Sequence, residues 1–210
     1  MTTMPTTKRR YHSPLRTAQA EATRRRVIEV ALERFSHQGL DATSVGEIAR
    51  AAGVAPETVY GAFGSKQGIL DAIAAVASTE WFPQETFQRQ FDALDGDPRG
   101  QLRLLVETMG DFFDENPAIV GLFAHASEEA TAAFEGFRQM LSGPGELPFT
   151  KLPPGTLRDG VSPRQAFAVM SALLTPGFYS RMRDLGGVSL PVYKATVLDL
   201  LEHALLESGV

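Results

Sequence analysis

Apolar residues recur every three or four positions along most of this 210-residue chain, which is the spacing of amphipathic helices. Residues 18–35 form the first such segment, and Gly39 suits the left-handed end of a helix. Thr43 or Ser44 caps a second helix, and Ser44 with Glu47 has the S-x-x-E form of a capping box. The pattern therefore predicts two short helices joined by a tight turn.

The next segment predicts a third helix and a fourth. Gly53 ends the second helix, and Pro56 occupies a position that proline tolerates at a helix start, so a third helix is predicted over residues 56–63. Ser65 caps a fourth helix over residues 66–81. The remaining predicted segments are helices at 97–116, 117–141, 163–185 with a kink at Pro176-Gly177, and 190–208, and a Gly/Pro-rich loop at 142–162. No alternating strand pattern interrupts them, so the predicted fold class is all-α.

Charge divides the chain into two parts. Residues 1–70 carry ten Lys and Arg against six Asp and Glu, whereas residues 71–210 carry ten against nineteen. A basic end joined to an acidic remainder is typical of a nucleic-acid-binding module attached to a part with another role. The chain has no cysteine, which excludes disulfides and thiolate metal sites, and no apolar span that predicts a membrane helix or a signal peptide. We expect a cytoplasmic protein without membrane contact, metal or cofactor.

Residues 22–70 resemble the TetR (tetracycline-repressor-like) family of bacterial transcription regulators. The matching positions are Gly39, Thr43-Ser44-Val45, Ile48-Ala49, Ala52-Gly53-Val54, Thr58-Val59-Tyr60, Phe63, Lys66 and Leu70. Residues 1–15 are rich in Thr, Pro and Arg and have little to bury, which predicts a flexible basic tail. The resemblance implies a three-helix helix-turn-helix domain at 16–65 and a larger helical ligand-binding and dimerisation domain at 66–210. It implies a double-stranded DNA operator as partner, with one helix in the major groove.

The resemblance also assigns DNA contacts to individual residues. Thr43 would bind a phosphate, Tyr60 a phosphate or a thymine methyl, and Lys66 a phosphate together with the N-terminal amides of the fourth helix. Thr58 would lie near base edges. Further candidates are Pro56 and Glu57 on the outward face of the third helix, and Arg24 and Arg25 among the three arginines 24–26 on the first helix.

Two of these assignments have alternatives. Glu57 can accept from cytosine N4, or it can interact only with the helix dipole in the first turn. Tyr60 can contact DNA or lie half-buried in the core. The outward face of the third helix has no Arg, Lys, Asn or Gln, so direct base reading is sparse. We therefore expect DNA shape and the tail residues Lys8-Arg9-Arg10 to contribute to specificity, unless the tail makes no contact.

Aromatic residues and methionines are abundant between the DNA module and the last two helices. A helical core explains most of them. In the resembled family this middle bundle holds an inducer pocket, so a lipophilic small-molecule effector is expected, with His125 as a polar contact. The candidate ligand-binding residues are Trp81, Met109, Phe112, Phe113, Phe123, His125, Phe134 and Phe137.

The last two predicted helices are apolar on more than one face, and a terminal helix of this kind must bury one face against a partner. The resemblance implies a homodimer formed through this helix pair and, by two-fold symmetry, a pseudo-palindromic operator. We expect a repressor that the effector releases from DNA. The candidate interface residues are Phe167, Met170, Leu174, Tyr193, Val197, Leu200, Leu201 and Ala204.

Two alternative functions remain open at this point. Asp111, Asp114 and Glu115 share one predicted helix face, as in all-α enzymes that hold Mg²⁺ for pyrophosphate substrates. A solvated helix face is the simpler explanation, and no nucleotide-binding or nucleophile motif is present in the sequence, so we expect no enzyme. The second alternative is a DNA-binding dimer without any ligand.

Overall fold

The computed structural model describes residues 14–77, 84–124, 152 and 154–207. In these ranges the chain is helical, without strands, and one isolated antiparallel bridge pairs Leu157 with Leu206. The helices are α1 (Pro14–Gln38), α2 (Val45–Ala52), α3 (Pro56–Phe63), α4 (Lys66–Val76), α5 (Gln84–Ala93), α6 (Pro98–Glu115), α7 (Pro117–Ala124), α8 (Pro163–Leu173), α9 (Pro176–Ser180), a π-helical turn (Arg181–Leu185) and α10 (Leu190–Leu205). The predicted all-α class is confirmed.

The turn between α1 and α2 has the predicted local chemistry. Gly39 and Gly53 adopt left-handed conformations, with φ of 84° and 73°, because both end helices. The Ser44 hydroxyl accepts from the Glu47 amide, and the Glu47 carboxylate accepts from the Ser44 amide at 2.8 Å. The Ser44 amide and the Ser44 hydroxyl both donate to the Glu47 carboxylate, and these two hydrogen bonds hold the pKa of the Glu47 carboxyl below its ordinary value. The capping box therefore forms as the sequence predicts.

Three predicted helix boundaries are wrong. Helix α1 begins at Pro14, inside the predicted tail and four residues before the expected start. The predicted 163–185 helix stops at Leu173 and restarts at Pro176, where the Thr175 hydroxyl caps α9 by accepting from the Phe178 amide at 3.1 Å. Proline lacks the N–H that a continuous helix needs, and with a new cap available the helix breaks rather than kinks.

The third correction concerns the last helix. Helix α10 ends at Leu205, before the predicted 208, because the next residue is extended and pairs with Leu157. No helix in the described ranges is both long and apolar enough to cross a membrane.

One hydrophobic core runs from α1–α4 into the bundle of α6–α10. Helix α1 packs against α2, α4 and α7, α6 packs against α10, and α7 packs against α9. Gly121 of α7 lies close to the backbone of Ser36 near the end of α1. Helices α1–α4 are therefore fixed to the bundle by direct packing of α1 on α7, in addition to the chain continuity through α4.

Candidate nucleic-acid interface and associated bundle

Helix α3 is attached to the core by the buried Val59 and the partly buried Phe63, and its other six residues are exposed. Val59 is 1% exposed, and the small buried residues Ala49 and Ala52 of α2 lie in the same core. Tyr60 is 53% exposed and lies outside the hydrophobic core. The exposed residues of α3 are Pro56, Glu57, Thr58, Tyr60, Gly61 and Ala62. This face is available to enter a groove, but it carries no basic or amide side chain.

Thr43 has a structural role that contradicts its predicted phosphate contact. Its side chain is 1% exposed, and its hydroxyl donates to the Gly39 carbonyl at 2.8 Å. The neighbouring Ser44, which is exposed, supplies the cap of α2. Sequence alone left either residue as the cap, and the choice of Ser44 turns the Thr43 hydroxyl inward. This hydroxyl satisfies a turn carbonyl and has no surface to offer a phosphate.

Lys66 is the first residue of α4, and its ammonium group also points toward the protein. Nζ donates to the Leu40 carbonyl in the α1–α2 turn at 2.8 Å, and the side chain is partly buried. The start of α4 is further fixed by the Ser65 hydroxyl, which accepts from the Gly68 amide at 3.1 Å. A Cβ at Gly68 would overlap the Phe63 carbonyl, so only glycine allows α4 to start this close to the end of α3.

The arginines of α1 differ in their surroundings. The guanidinium carbon of Arg24 lies 4.6 Å from the centroid of the Phe63 ring, a cation–π contact that ties α1 to the end of α3. Arg25 and Arg26 are exposed and line a shallow groove along α1. The same groove contains Glu29 and Glu33, so its charge is mixed. Arg24 therefore supports α3, whereas the two following arginines are exposed to solvent.

The candidate ligand-binding residues divide between described and undescribed parts of the chain. Met109, Phe112, Phe113 and Phe123 are buried at 6% exposure or less. The residues that lie outside the described ranges are Trp81, His125, Phe134 and Phe137. These four buried residues belong to the hydrophobic core of the protein, as expected if they only pack the helices together.

An aromatic cluster extends from α6 through α9 to α10. Phe113 lies 5.5 Å from Tyr179, and Tyr179 meets Tyr193 edge-on at 5.0 Å between ring centroids. Tyr193 is fully buried, and its hydroxyl has no hydrogen-bond partner in the described structure. Burial raises the pKa of the Tyr193 phenol. Sequence analysis assigned Tyr193 to the dimer interface and did not consider Tyr179, since one tyrosine in an apolar stripe gives no indication of its partner.

The acidic face of α6 is used to hold the bundle together. Lys194 Nζ of α10 donates to Asp111 and Glu107, each at 2.7 Å, and its stem lies across Gly110, where a Cβ would crowd the lysine carbons. Burial lowers the pKa of Lys194, but the hydrogen bonds and charges of the two carboxylates outweigh it and raise the pKa above its ordinary value. This arrangement stabilises α10 against α6.

Asp114 of α6 also forms hydrogen bonds with other helices of the bundle. Its carboxylate accepts from the Tyr179 hydroxyl at 2.7 Å and from Arg183 at 3.1 Å. Burial and this hydrogen bond raise the pKa of Tyr179 to about 12. The described residues include no group of His, Cys, Asp or Glu that could hold a metal ion. The hypothesis of a Mg²⁺ site at Asp111, Asp114 and Glu115 therefore has no geometric support.

The predicted dimer stripe lies largely inside the chain itself. The residues that are buried in the chain's own core are Met170, Leu174, Tyr193, Val197 and Leu201, which contradicts their assignment to an interface. Phe167 is partly buried against this core, while Ala204 is exposed and Leu200 is 42% exposed. The exposed large apolar residues of α8 and α10 are Val169, Val192 and Leu200, of which only Leu200 was predicted to lie at the interface. Periodicity identified residues that share a face, but it could not determine which face α6 covers.

The described residues thus form a helix-turn-helix with an exposed third helix, carried on a helical bundle, which is an arrangement that can present one helix to a DNA groove. Residues 27–73 match the family model described as bacterial regulatory proteins, tetR family. This match confirms the resemblance predicted from the sequence over that domain.

Two comparisons describe the extent of the similarity. The chain is 37% identical over 86 residues to the HTH-type transcriptional regulator AcrR of Shigella flexneri, a match that covers 40% of this chain and 39% of AcrR. It is 29% identical over 107 residues to the HTH-type transcriptional repressor KstR2 of Rhodococcus jostii, covering 51% of each chain. The chain thus spans between about two fifths and one half of the length of these two relatives.

Solved structures show the same fold over nearly the whole chain. NalD, the secondary repressor of the MexAB-OprM multidrug efflux pump in Pseudomonas aeruginosa, matches with a TM-score of 0.65 and 23% identity, over 90% of this chain and 99% of NalD. The SmeT–triclosan complex matches with a TM-score of 0.58 and 18% identity, over 90% of this chain and 93% of SmeT. At these identities the likeness concerns the fold.

Proposed function

We propose that this protein is a homodimeric transcriptional repressor that binds a pseudo-palindromic DNA operator and is released by a lipophilic small molecule. The observation that carries this proposal is the exposed α3, held by Val59 in a domain that matches the tetR family. The names of the relatives and fold neighbours, which are regulators and repressors, support the same function. Such an activity takes place in the cytoplasm, where the DNA is.

DNA reading on this proposal is concentrated in a small set of α3 side chains. Thr58 and Tyr60 are exposed and can contact a base edge, a thymine methyl or a phosphate. Glu57 is exposed in the first turn, where it can accept from cytosine N4. Arg25 can contribute a phosphate contact from the exposed side of α1. With so few base-reading groups, DNA shape contributes a large share of specificity.

The proposed dimer uses the exposed apolar residues of α8 and α10. Val169, Val192 and Leu200 are 37%, 53% and 42% exposed, and an apolar surface of this kind on two adjacent helices suits a second copy of the same chain. Two-fold symmetry then places two α3 helices on half-sites separated by one turn of DNA or a multiple of it.

The proposed effector is lipophilic because the bundle is rich in aromatic side chains around Phe113, Tyr179 and Tyr193. The fold neighbour SmeT was solved with triclosan, which supports this ligand class. An effector changes DNA affinity only if it binds one orientation of the recognition helices better than another. Two connections can carry such a change to the helix-turn-helix. The first is α4, which follows it in the chain, and the second is the contact of α9 with α7, which in turn packs against α1.

A duplex selection experiment tests the proposed function. Selection from a randomised duplex pool with the unaltered chain is expected to yield pseudo-palindromic sequences, bound with an affinity that falls steeply with salt. Tyr60→Ala removes an exposed side chain and is expected to reduce affinity for the selected duplex by about ten-fold, an effect of about 1.4 kcal/mol.

The matched control is Leu185→Ala, which also removes an exposed large side chain, 85% exposed, but in the π-helical turn of the bundle. It is expected to leave affinity unchanged. A pool that shows no enrichment, or equal losses for the two variants, would exclude DNA recognition through α3. A thermal-shift series with triclosan then separates an inducible repressor from a ligand-free DNA-binding dimer, because a ligand that binds only the native state raises the melting temperature.

A further inference from the structure

Lys66 connects two segments that are distant in sequence. Its Nζ donates to the Leu40 carbonyl, 26 residues earlier, at 2.8 Å. Leu40 is 8% exposed, so the acceptor lies in a largely dry environment, where a hydrogen bond from a charged donor is strong. Among the described residues the ammonium has no ion-pair partner. The contact with Leu40 therefore defines the position of this side chain.

The α1–α2 turn depends on this contact. The Leu40 carbonyl also accepts from the Thr43 amide at 3.3 Å, a long hydrogen bond, while the Thr43 hydroxyl satisfies the Gly39 carbonyl. Lys66 supplies the stronger of the two donors to Leu40. Since α2 begins directly after this turn at Ser44, a change in the turn also moves the start of the helix-turn-helix.

The other end of the connection is equally fixed. Lys66 is the first residue of α4, and α4 starts against the end of α3 at the close approach of Gly68 to Phe63. The lysine thus joins the α1–α2 turn to the helix that leads from the DNA-binding domain into the bundle. This contact forms in the protein without DNA, so it does not depend on a phosphate.

We propose that Lys66 is a positioning residue for DNA binding: its ammonium holds α4 against the α1–α2 turn and sets the orientation of the helix-turn-helix, and it does not neutralise a DNA phosphate. The proposal rests on the proposed function for its effect on DNA affinity. The contact with Leu40 itself exists in the free protein, so part of the test requires no DNA.

The test compares Lys66→Met with Arg103→Met, which removes one positive charge from an exposed side chain of α6 in the bundle. Affinity is measured for the duplex selected with the unaltered chain, over a series of salt concentrations. Loss of a phosphate contact lowers the slope of log affinity against log salt by about one per copy, and therefore by about two for a dimer. Loss of the connection lowers affinity at every salt concentration with the slope unchanged.

We expect Lys66→Met to weaken DNA binding by about ten-fold or more at constant slope, since a hydrogen bond from a charged donor is lost in each copy. Arg103→Met is expected to leave DNA affinity unaltered. Without DNA, hydrogen exchange of the Thr43 amide is expected to accelerate in Lys66→Met and not in Arg103→Met, because the turn has lost its second donor.

A slope reduced by about two, with unchanged exchange at Thr43, would overturn the proposal and make Lys66 a phosphate ligand. Unchanged affinity would overturn it as well. Failure of the proposed function gives a different result: the unaltered chain then selects no duplex, although the exchange experiment still detects the Lys66–Leu40 connection in the free protein.

Discussion

The packing of α7 on α1 predicts opposite effects on the unfolding free energy for two substitutions at Gly121. Gly121 lies at the contact, and a Cβ built on it would be 3.5 Å from both the Cβ and the carbonyl oxygen of Ser36. This separation is an ordinary van der Waals distance, so one methyl group fits without displacement. A larger side chain extends a further ~1.5 Å, about one carbon–carbon bond, toward the backbone of α1.

Alanine at this position is expected to stabilise the protein. Glycine inside a helix costs about 0.5–1 kcal/mol relative to alanine, and Gly121→Ala recovers most of this because nothing obstructs the added methyl. Gly121→Val adds carbon atoms that the backbone of Ser36 must accommodate, and overpacking of this kind costs about 1–3 kcal/mol. The expected difference in unfolding free energy between the two variants is therefore about 2 kcal/mol or more.

Urea unfolding of the two variants measures this difference, with Gly61 as the control. A Cβ at Gly61 of α3 meets nothing within 4 Å, so alanine and valine there should differ only by their helix propensities, by less than about 1 kcal/mol. The same Gly121 variants report on function, because Gly121→Val is expected to reorient α1 and weaken binding to the selected duplex, while Gly121→Ala leaves it intact. Equal stabilities for Gly121→Ala and Gly121→Val would refute the close packing of α7 on α1.

Further predictions concern the bundle. Tyr193→Phe removes a buried hydroxyl without a partner in the described structure and is expected to raise the unfolding free energy by about 1 kcal/mol, whereas Tyr179→Phe removes a hydroxyl bonded to a carboxylate and should lower it by about 1 kcal/mol; urea unfolding of both distinguishes them. The raised pKa of Lys194 contributes stability that is fully present below pH 10.5 and lost as the pH rises through its higher folded value, so Lys194→Met should be less stable than the unaltered chain at pH 8 and the two should converge in strongly alkaline urea titrations. Leu200→Glu places a charge in the proposed dimer surface and is expected to give monomers in sedimentation velocity, while Leu185→Glu leaves dimers; dimers in both would place the interface elsewhere.

Features that depend on a few neighbouring residues could be predicted from the sequence. The capping box at Ser44, the left-handed Gly39 and Gly53, and the start of α3 at Pro56 require only local backbone chemistry. The same holds for the exposed face of α3, since only Val59 and Phe63 of this eight-residue helix contribute to the core. These residues are sufficient to identify the helix-turn-helix.

Features that depend on distant contacts could not be predicted. Thr43 and Ser44 are adjacent and both can cap a helix, and only the folded turn shows that Thr43 faces inward. Lys66 matched a position where the resemblance implies a phosphate contact, but the acceptor that it binds lies 26 residues away at Leu40. A sequence motif specifies the type of donor at a position, whereas its acceptor depends on tertiary packing.

The apolar stripes of α10 show the same limit for packing surfaces. Tyr193, Val197 and Leu201 follow one another at intervals of four residues, which indicates a shared face, and the helix also carries apolar residues on the other side. The ion pairs of Lys194 with Asp111 and Glu107 help to determine which face of α10 is buried. They fix the rotation of α10 against α6, so that the face with Tyr193, Val197 and Leu201 lies inside. Asp111, one of the three acidic residues that suggested a metal site, is therefore part of what orients α10, and this orientation leaves Val192 and Leu200 at the surface for the proposed dimer. The packing of α10 on α6 thus accounts both for the role of Asp111 and for the burial of Tyr193, Val197 and Leu201, which the apolar pattern assigned to an interface.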